Sequence, residues 1–174
     1  MGTILASNLS PARGGGVLFP RFTCPPGTVI LCLGNRDRGD DGVGHLVARL
    51  LLGRMPQHVL IEEQDGAALE LVDQLRWRDG VVLVDAAVTG APPGTIHVFD
   101  CTKVDIQAIR PGASSHGFGV AEAVAMARVL RELPRVCRLY AIEGVNFALG
   151  AAISPAVRAA AHELVARLLS DSTI

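Results

Sequence analysis

The sequence predicts an α/β fold, a three-layer sandwich in which a mostly parallel, twisted sheet is flanked by helices. Three observations predict it. Val29-Ile30-Leu31-Cys32-Leu33 and Val81-Val82-Leu83-Val84 are short, continuously apolar runs, the pattern of strands buried on both faces. Segments with apolar residues at helical spacing separate such runs. Strands that alternate with helices need crossover connections, and crossovers make neighbouring strands parallel.

In chain order, the first strand, Val29 to Leu33, ends at Gly34-Asn35. After a polar loop, Val43, Val47, Leu50 and Leu51 fall on one helical face, with Arg49 and Arg54 turned outward. Val59-Leu60-Ile61 is the second strand. Asp65-Gly66 then turns into a helix carrying Leu69, Val72 and Leu75. The third strand, Val81 to Val84, ends at Asp85. After the turn Pro92-Pro93-Gly94, Thr95 to Phe99 alternates weakly and reads as an edge strand. Gly119 to Leu130 is apolar almost all round, which predicts a buried helix. Leu139 to Ile142 is the last strand. Pro155 to Leu169 closes the chain as a helix, with Val157, Ala160, Ala161, Leu164, Val165 and Leu168 as its stripe, Ser154 as N-cap and Pro155 in the first turn.

The 174 residues fit a single domain over 29–174, preceded by a flexible leader over 1–28. Hydrophobic residues make up 49% and charged residues 19%, enough to build a core and too apolar for disorder. The 16 Lys and Arg against 17 Asp and Glu leave a net charge of −1. Nucleic-acid and polybasic membrane-surface binding both need a concentrated positive face, so neither is expected. Mean hydropathy is +0.36, yet no run of about eighteen uncharged apolar residues occurs that could span a bilayer. Cys24, Cys32, Cys101 and Cys137 lack CxxC spacing, which excludes a zinc ribbon or thioredoxin motif. Reduced thiols and a leader without an apolar h-region predict a cytoplasmic location.

In a sheet of this kind ligands bind beyond the carboxyl ends of the strands. The loop after the first strand carries Asp40 and Asp41, the third strand leads directly into Asp85, and Ser114-Ser115-His116-Gly117 precedes the apolar helix. Two carboxylates and an imidazole are a ligand set for a divalent transition metal that leaves positions open. Each residue also has a plainer role. Asp40 reads as a helix N-cap or dipole partner, and Asp41 stays open between capping and ligation. Asp85 could simply begin a turn, and His116 alone could be a solvated loop histidine. Their joint placement at one sheet edge is what selects them.

The remaining histidines carry less. His45 lies on a helix among arginines, His58 opens a strand, His97 is in the edge strand and His162 is on a polar helix face. No Gly-x-Ser-x-Gly elbow is present. The glycine-rich first loop has neither Walker A nor dinucleotide spacing, and its paired acids would repel a phosphate. Cys32 reads as core.

Leu33-Gly34-Asn35 followed by Gly39-Asp40-Asp41-Gly42-Val43-Gly44 resembles the opening motif of the hydrogenase maturation proteases, which trim the C-terminal extension of nickel–iron hydrogenase large subunits. The resemblance continues through Asp65-Gly66, Val84-Asp85-Ala86, Pro93-Gly94-Thr95, Ser115-His116-Gly117 and Ile153-Ser154-Pro155-Ala156-Val157, from about Val29 to the C-terminus. The first loop departs from it at Arg36-Asp37-Arg38, where members more often carry an apolar residue or proline. The resemblance implies a phosphorylase/hydrolase-like sandwich with Asp41, Asp85 and His116 as metal-contacting residues and Asp65 as a helper, either supporting a ligand or acting as general base. It implies that nickel arrives already bound to the hydrogenase large-subunit precursor, and that no organic cofactor is held tightly. Two other readings fit parts of the pattern: a chaperone that grips the nickel-loaded precursor without cutting it, and a peptidyl-tRNA hydrolase. The second would want a basic groove for tRNA, which the near-zero net charge opposes.

Overall fold

The structure, a computed structural model, describes residues 27–65, 68–104, 106 and 119–171. Gly66, the Ser114-Ser115-His116-Gly117 segment and all of the 1–28 leader except Gly27 and Thr28 lie outside these residues. So does the side chain of Leu69.

Five strands form one sheet in the order β2-β1-β3-β5-β4: β1 Val29–Leu33, β2 Leu60–Gln64, β3 Gly80–Ala87, β4 Ile96–Asp100 and β5 Val136–Glu143. The pairs β1–β2, β1–β3 and β3–β5 are parallel. β4 runs antiparallel to β5 at the sheet's edge, as its weak alternation predicts. Three strands run beyond the apolar runs that announce them, β2 continuing past Ile61 to Gln64 along β1. β3 continues through Asp85 to Ala87, and β5 begins at Val136, because pairing with each other extends both.

The helices are α1 Val43–Leu51, α2 Ala68–Leu75, α3 Val120–Val129 and α4 Pro155–Asp171. The unbroken apolar runs make sense once the faces are sorted. Ile30, Cys32, Val82, Val84 and Ile142 pack with α1 and α4. Val29, Leu31, Leu33, Val81 and Leu83 pack with α2 and α3. Alternate residues of one strand therefore serve opposite layers, so no polar residue is tolerated between them.

Two expectations need correction. α3 is not buried all round: Ala121, Ala123, Val124 and Ala127 face the sheet, whereas Val129 is 82% exposed. Its small residues let it lie close on α2 and the sheet, and the larger apolar side chains are left outside. The Ser154 hydroxyl accepts no amide of α4 and so does not cap it. The Ser154 amide donates to Asp40. The stripe of α4 is buried as expected. Among the described residues no helix is long and apolar enough to cross a membrane.

The strand order positions the site. From β1 the chain moves outward through α1 to β2, then returns through α2 to β3 on the other side of β1. The direction reverses between β1 and β3, so the loops leaving their carboxyl ends part there and open a crevice. Asp41 follows β1, and Asp85 lies on β3 one step beyond the Cys32–Val84 pair.

Candidate functional site

The loop after β1 folds back tightly on the strand that precedes it. Gly34 has φ 119°, and a Cβ at this position would collide with the Asp41 carbonyl. A Cβ at Gly44 would strike the Leu33 carbonyl. Only glycine permits both approaches, which is why the motif spells Gly at these places. Gly39–Gly42 forms one 3₁₀ turn that runs into α1.

The two adjacent acids of that turn have different tasks. Asp41 is half-buried, and its Oδ2 accepts the Asn35 amide at 3.2 Å. Asp40 is fully buried; it stands in the first turn of the 3₁₀ segment, as an acid placed there for the dipole would, but its side chain makes no cap there. Its Oδ2 accepts the amides of Val145 and Asn146 at 2.9 Å each, and its Oδ1 accepts that of Ser154 at 2.6 Å. Its own amide donates to the Asn146 carbonyl at 2.8 Å. Burial alone would raise its pKa, but the three amides hold the carboxyl below the usual 3.8. Asp40 is thus a clamp between the first loop and the segment after β5.

Asp85 behaves in the opposite way. Burial chiefly, with the charge of Asp41 added and the Ala86 amide at 2.8 Å offsetting part, pushes its carboxyl up to about 7. Asp41 and Asp85 therefore share one crevice with too little positive charge between them, an arrangement that an incoming cation would relieve. Among the described residues no group of three or more His, Cys, Asp or Glu is placed to hold a metal ion. His116, expected as the third member, lies outside the described residues. Asp65 sits exposed at the carboxyl end of β2, with β1 between it and β3.

A second buried carboxylate steadies the other side of the crevice. Glu143 is 2% exposed at the end of β5. It accepts the amides of Thr89 and Gly90 at 2.7 and 2.8 Å and the Thr89 hydroxyl at 2.8 Å, with His97 Nε2 at 3.2 Å. It fixes the segment that follows Asp85, as Asp40 fixes the one after β5.

Sequence pattern passes over one more residue. His45, set aside as a helix histidine among arginines, is buried. Its Nε2 lies 2.7 Å from the Gly34 carbonyl, and its Nδ1 lies 2.6 Å from Glu63 Oε2 and 3.2 Å from Arg36 Nε. Arg36 also pairs with Glu63, and burial, with the Glu63 charge adding to it, pushes the Cys32 thiol up to about 12. The available signal was spacing: His45 stands one helical turn after Asp41, where a helix entering the crevice must face inward.

The chain is similar to known proteins. A family model described as hydrogenase maturation protease, HycI, matches residues 52–171. The hydrogenase expression/formation protein HupD of Thiocapsa roseopersicina is 27% identical over 165 residues, covering 86% of this chain and 75% of its own. Among solved structures, the hydrogenase maturating endopeptidase HybD from E. coli superposes with TM-score 0.71 at 23% identity, over 82% of this chain and 90% of that one. The [NiFe] hydrogenase maturation protease HycI from Thermococcus kodakarensis does so with TM-score 0.65 at 22% identity, over 86% and 94%. These two likenesses establish the shared sandwich, while the family model spans well over half of the chain and includes Asp85. The chain belongs to the hydrogenase maturation protease family.

Proposed function

We propose that this endopeptidase removes the C-terminal extension of a nickel–iron hydrogenase large-subunit precursor once nickel is in place, and that it recognises the nickel which the precursor itself carries. The observation that carries the reading is the pairing of Asp41 with Asp85 at the switch point of the sheet. Two carboxylates near enough for the charge of one to raise the pKa of the other, which burial and that charge push up to about 7, are well matched to a divalent cation. His116 completes the set by its place in the motif. Nickel enters as part of the substrate, and the chain holds no metal of its own in this reading.

Three things follow for the chain's own groups. Asp41 and Asp85 position the precursor by gripping its metal, which converts an encounter into a fixed orientation of the peptide to be cut. Asp85 gives up its proton as the cation arrives, because a ligating carboxylate must be ionised. Asp65, exposed at the next strand but one, is a candidate to accept a proton from the attacking water.

The test is the mass of purified precursor after incubation with the protein. Nickel-loaded precursor should be shortened and nickel-free precursor left whole. Asp41→Ala, Asp85→Ala and His116→Ala should each abolish shortening while leaving the unfolding transition cooperative. Full processing by the Asp85→Ala or His116→Ala protein, or efficient cutting of metal-free precursor, would refute the reading.

A further inference from the structure

We propose that His45, oriented by Glu63, is a positioning residue for Asp41, acting through the single peptide group that joins Gly34 to Asn35. The claim rests on the proteolytic reading above for its effect on turnover, and on geometry alone for the positioning itself.

The carbonyl of Gly34 and the amide N–H of Asn35 belong to one planar unit, so their directions are locked opposite each other. His45 Nε2 meets the carbonyl at 2.7 Å, and Asp41 Oδ2 accepts the amide at 3.2 Å. A carbonyl oxygen can only accept, so Nε2 carries the proton of that bond. Fixing one end of the peptide plane fixes the other, and the other end is the donor that holds the Asp41 carboxylate. A carboxylate oxygen likewise only accepts, so the 2.6 Å contact of Glu63 Oε2 with Nδ1 uses a proton on that nitrogen too and sets the ring's rotation, while Arg36 is held there by its pairing with Glu63 and not by the ring.

The surroundings explain why the peptide needs an external hold. Gly34 follows the last paired residue of β1, so the ladder no longer constrains it. Its φ of 119° is open to glycine and little else, which also leaves it free to rotate in the absence of a partner. The Asp41 carbonyl packs where a Cβ would be, so rotation of this peptide would displace the Asp41 backbone as well as its side chain. His45, on the first turn of α1 and 5% exposed, reaches this group from the packed interior. The four partners form one line from β2 to the crevice: Glu63, the imidazole, the 34–35 peptide and the Asp41 carboxylate. Each bond in such a line polarises the next.

The experiment compares His45→Leu, which fills the space without a donor, with His45→Gln, whose amide can still donate to the Gly34 carbonyl. Two readouts are taken on the full chain: hydrogen exchange at the Asn35 amide, and kcat and KM on nickel-loaded precursor. His45→Leu should speed exchange at Asn35 and lower kcat, each by about tenfold, the worth of roughly one hydrogen bond to a charged group. KM should change less than about twofold, since the loss concerns the reacting geometry. His45→Gln should restore most of both.

The amides of Val145, Asn146 and Ser154, held by Asp40, are the internal control and should stay protected. Unchanged Asn35 exchange in His45→Leu overturns the proposal and leaves the proteolytic reading untouched. Loss of protection at the control amides along with Asn35 also overturns it, because His45 would then be a general structural residue. A wild-type protein that leaves precursor whole sinks the proteolytic reading, and the Asn35 exchange still decides whether His45 governs Asp41.

Discussion

The two edges of this sheet are closed by different physics. At the carboxyl edge, loops far apart in sequence are joined by buried carboxylates: Asp40 takes three backbone amides and Glu143 takes two more and a hydroxyl. At the amino edge, the turns close locally. Trp77 and Arg131 adopt positive φ, at 65° and 60°, each ending a helix before the chain enters the next strand. Trp77 is 93% exposed there, and the Arg76–Glu132 ion pair bridges the neighbouring turns at the surface. Among the described residues, the two carboxylates buried whole, Asp40 and Glu143, both sit where a crevice must keep its shape. Elsewhere the chain relies on short loops and accepts local backbone strain.

Substitutions at the two edges should therefore differ sharply. The largest effect concerns chemistry: Asp41→Asn and Asp85→Asn should each slow precursor processing by at least about 10²-fold, the scale of a lost catalytic ionisable group, as read by precursor mass over time. Next comes Asp40→Ala, which strands three amides and should cost about 3 kcal/mol in urea unfolding, with Glu143→Gln costing less because an amide oxygen can still accept.

The dependence on pH sharpens the contrast between the carboxylates. Asp40, held below 3.8, contributes stability that is complete above that value and is lost as the solution is acidified through its folded pKa. Asp85 has the reverse sign: its pKa is raised from 3.8 to about 7, so its neutral form favours the fold. Its contribution is full below 3.8 and declines as pH rises to 7. Asp85→Asn should be more stable relative to the parent at pH 8 than at pH 4, and a parallel pair of unfolding curves would show that Asp85 is not buried as described. The smallest effect belongs to the amino edge. Trp77→Gly should alter stability by no more than about 1 kcal/mol, since relief of a left-handed backbone and the added freedom of glycine oppose each other, and processing should be unchanged.

Much of this was legible in the chain. Runs such as Val81 to Val84 admit no amphipathic alternative, so they identify double-faced strands. Once β1 and β3 are known, the acid pair Asp40-Asp41 and Asp85 follow from where loops must emerge, and the choice of Asp41 within the pair rests on the family resemblance. What could not be read were the bonds that cross long stretches of sequence. Nothing local distinguishes Asp40 from Asp41, yet a partner more than a hundred residues away separates a clamp from a candidate ligand. Glu143 ends a strand in a polar-looking run, and its burial depends on a turn at Thr89 and Gly90. Ser154 stands where an N-cap belongs, yet its hydroxyl accepts no amide of α4 and its own amide serves the Asp40 clamp. His45 looked like a surface helix residue because helical pattern gives a face, while only the fold tells which face the crevice lies against.

The reach of the Asp40 clamp also bears on how the polypeptide matures on the ribosome. Synthesis delivers the Gly39-Asp40-Asp41-Gly42 turn early, but the amides that secure it belong to residues 145, 146 and 154. A chain that stops short of residue 145 lacks every amide that secures this carboxylate, so the conformation of the turn is a property of nearly the whole sequence and not of its own neighbourhood.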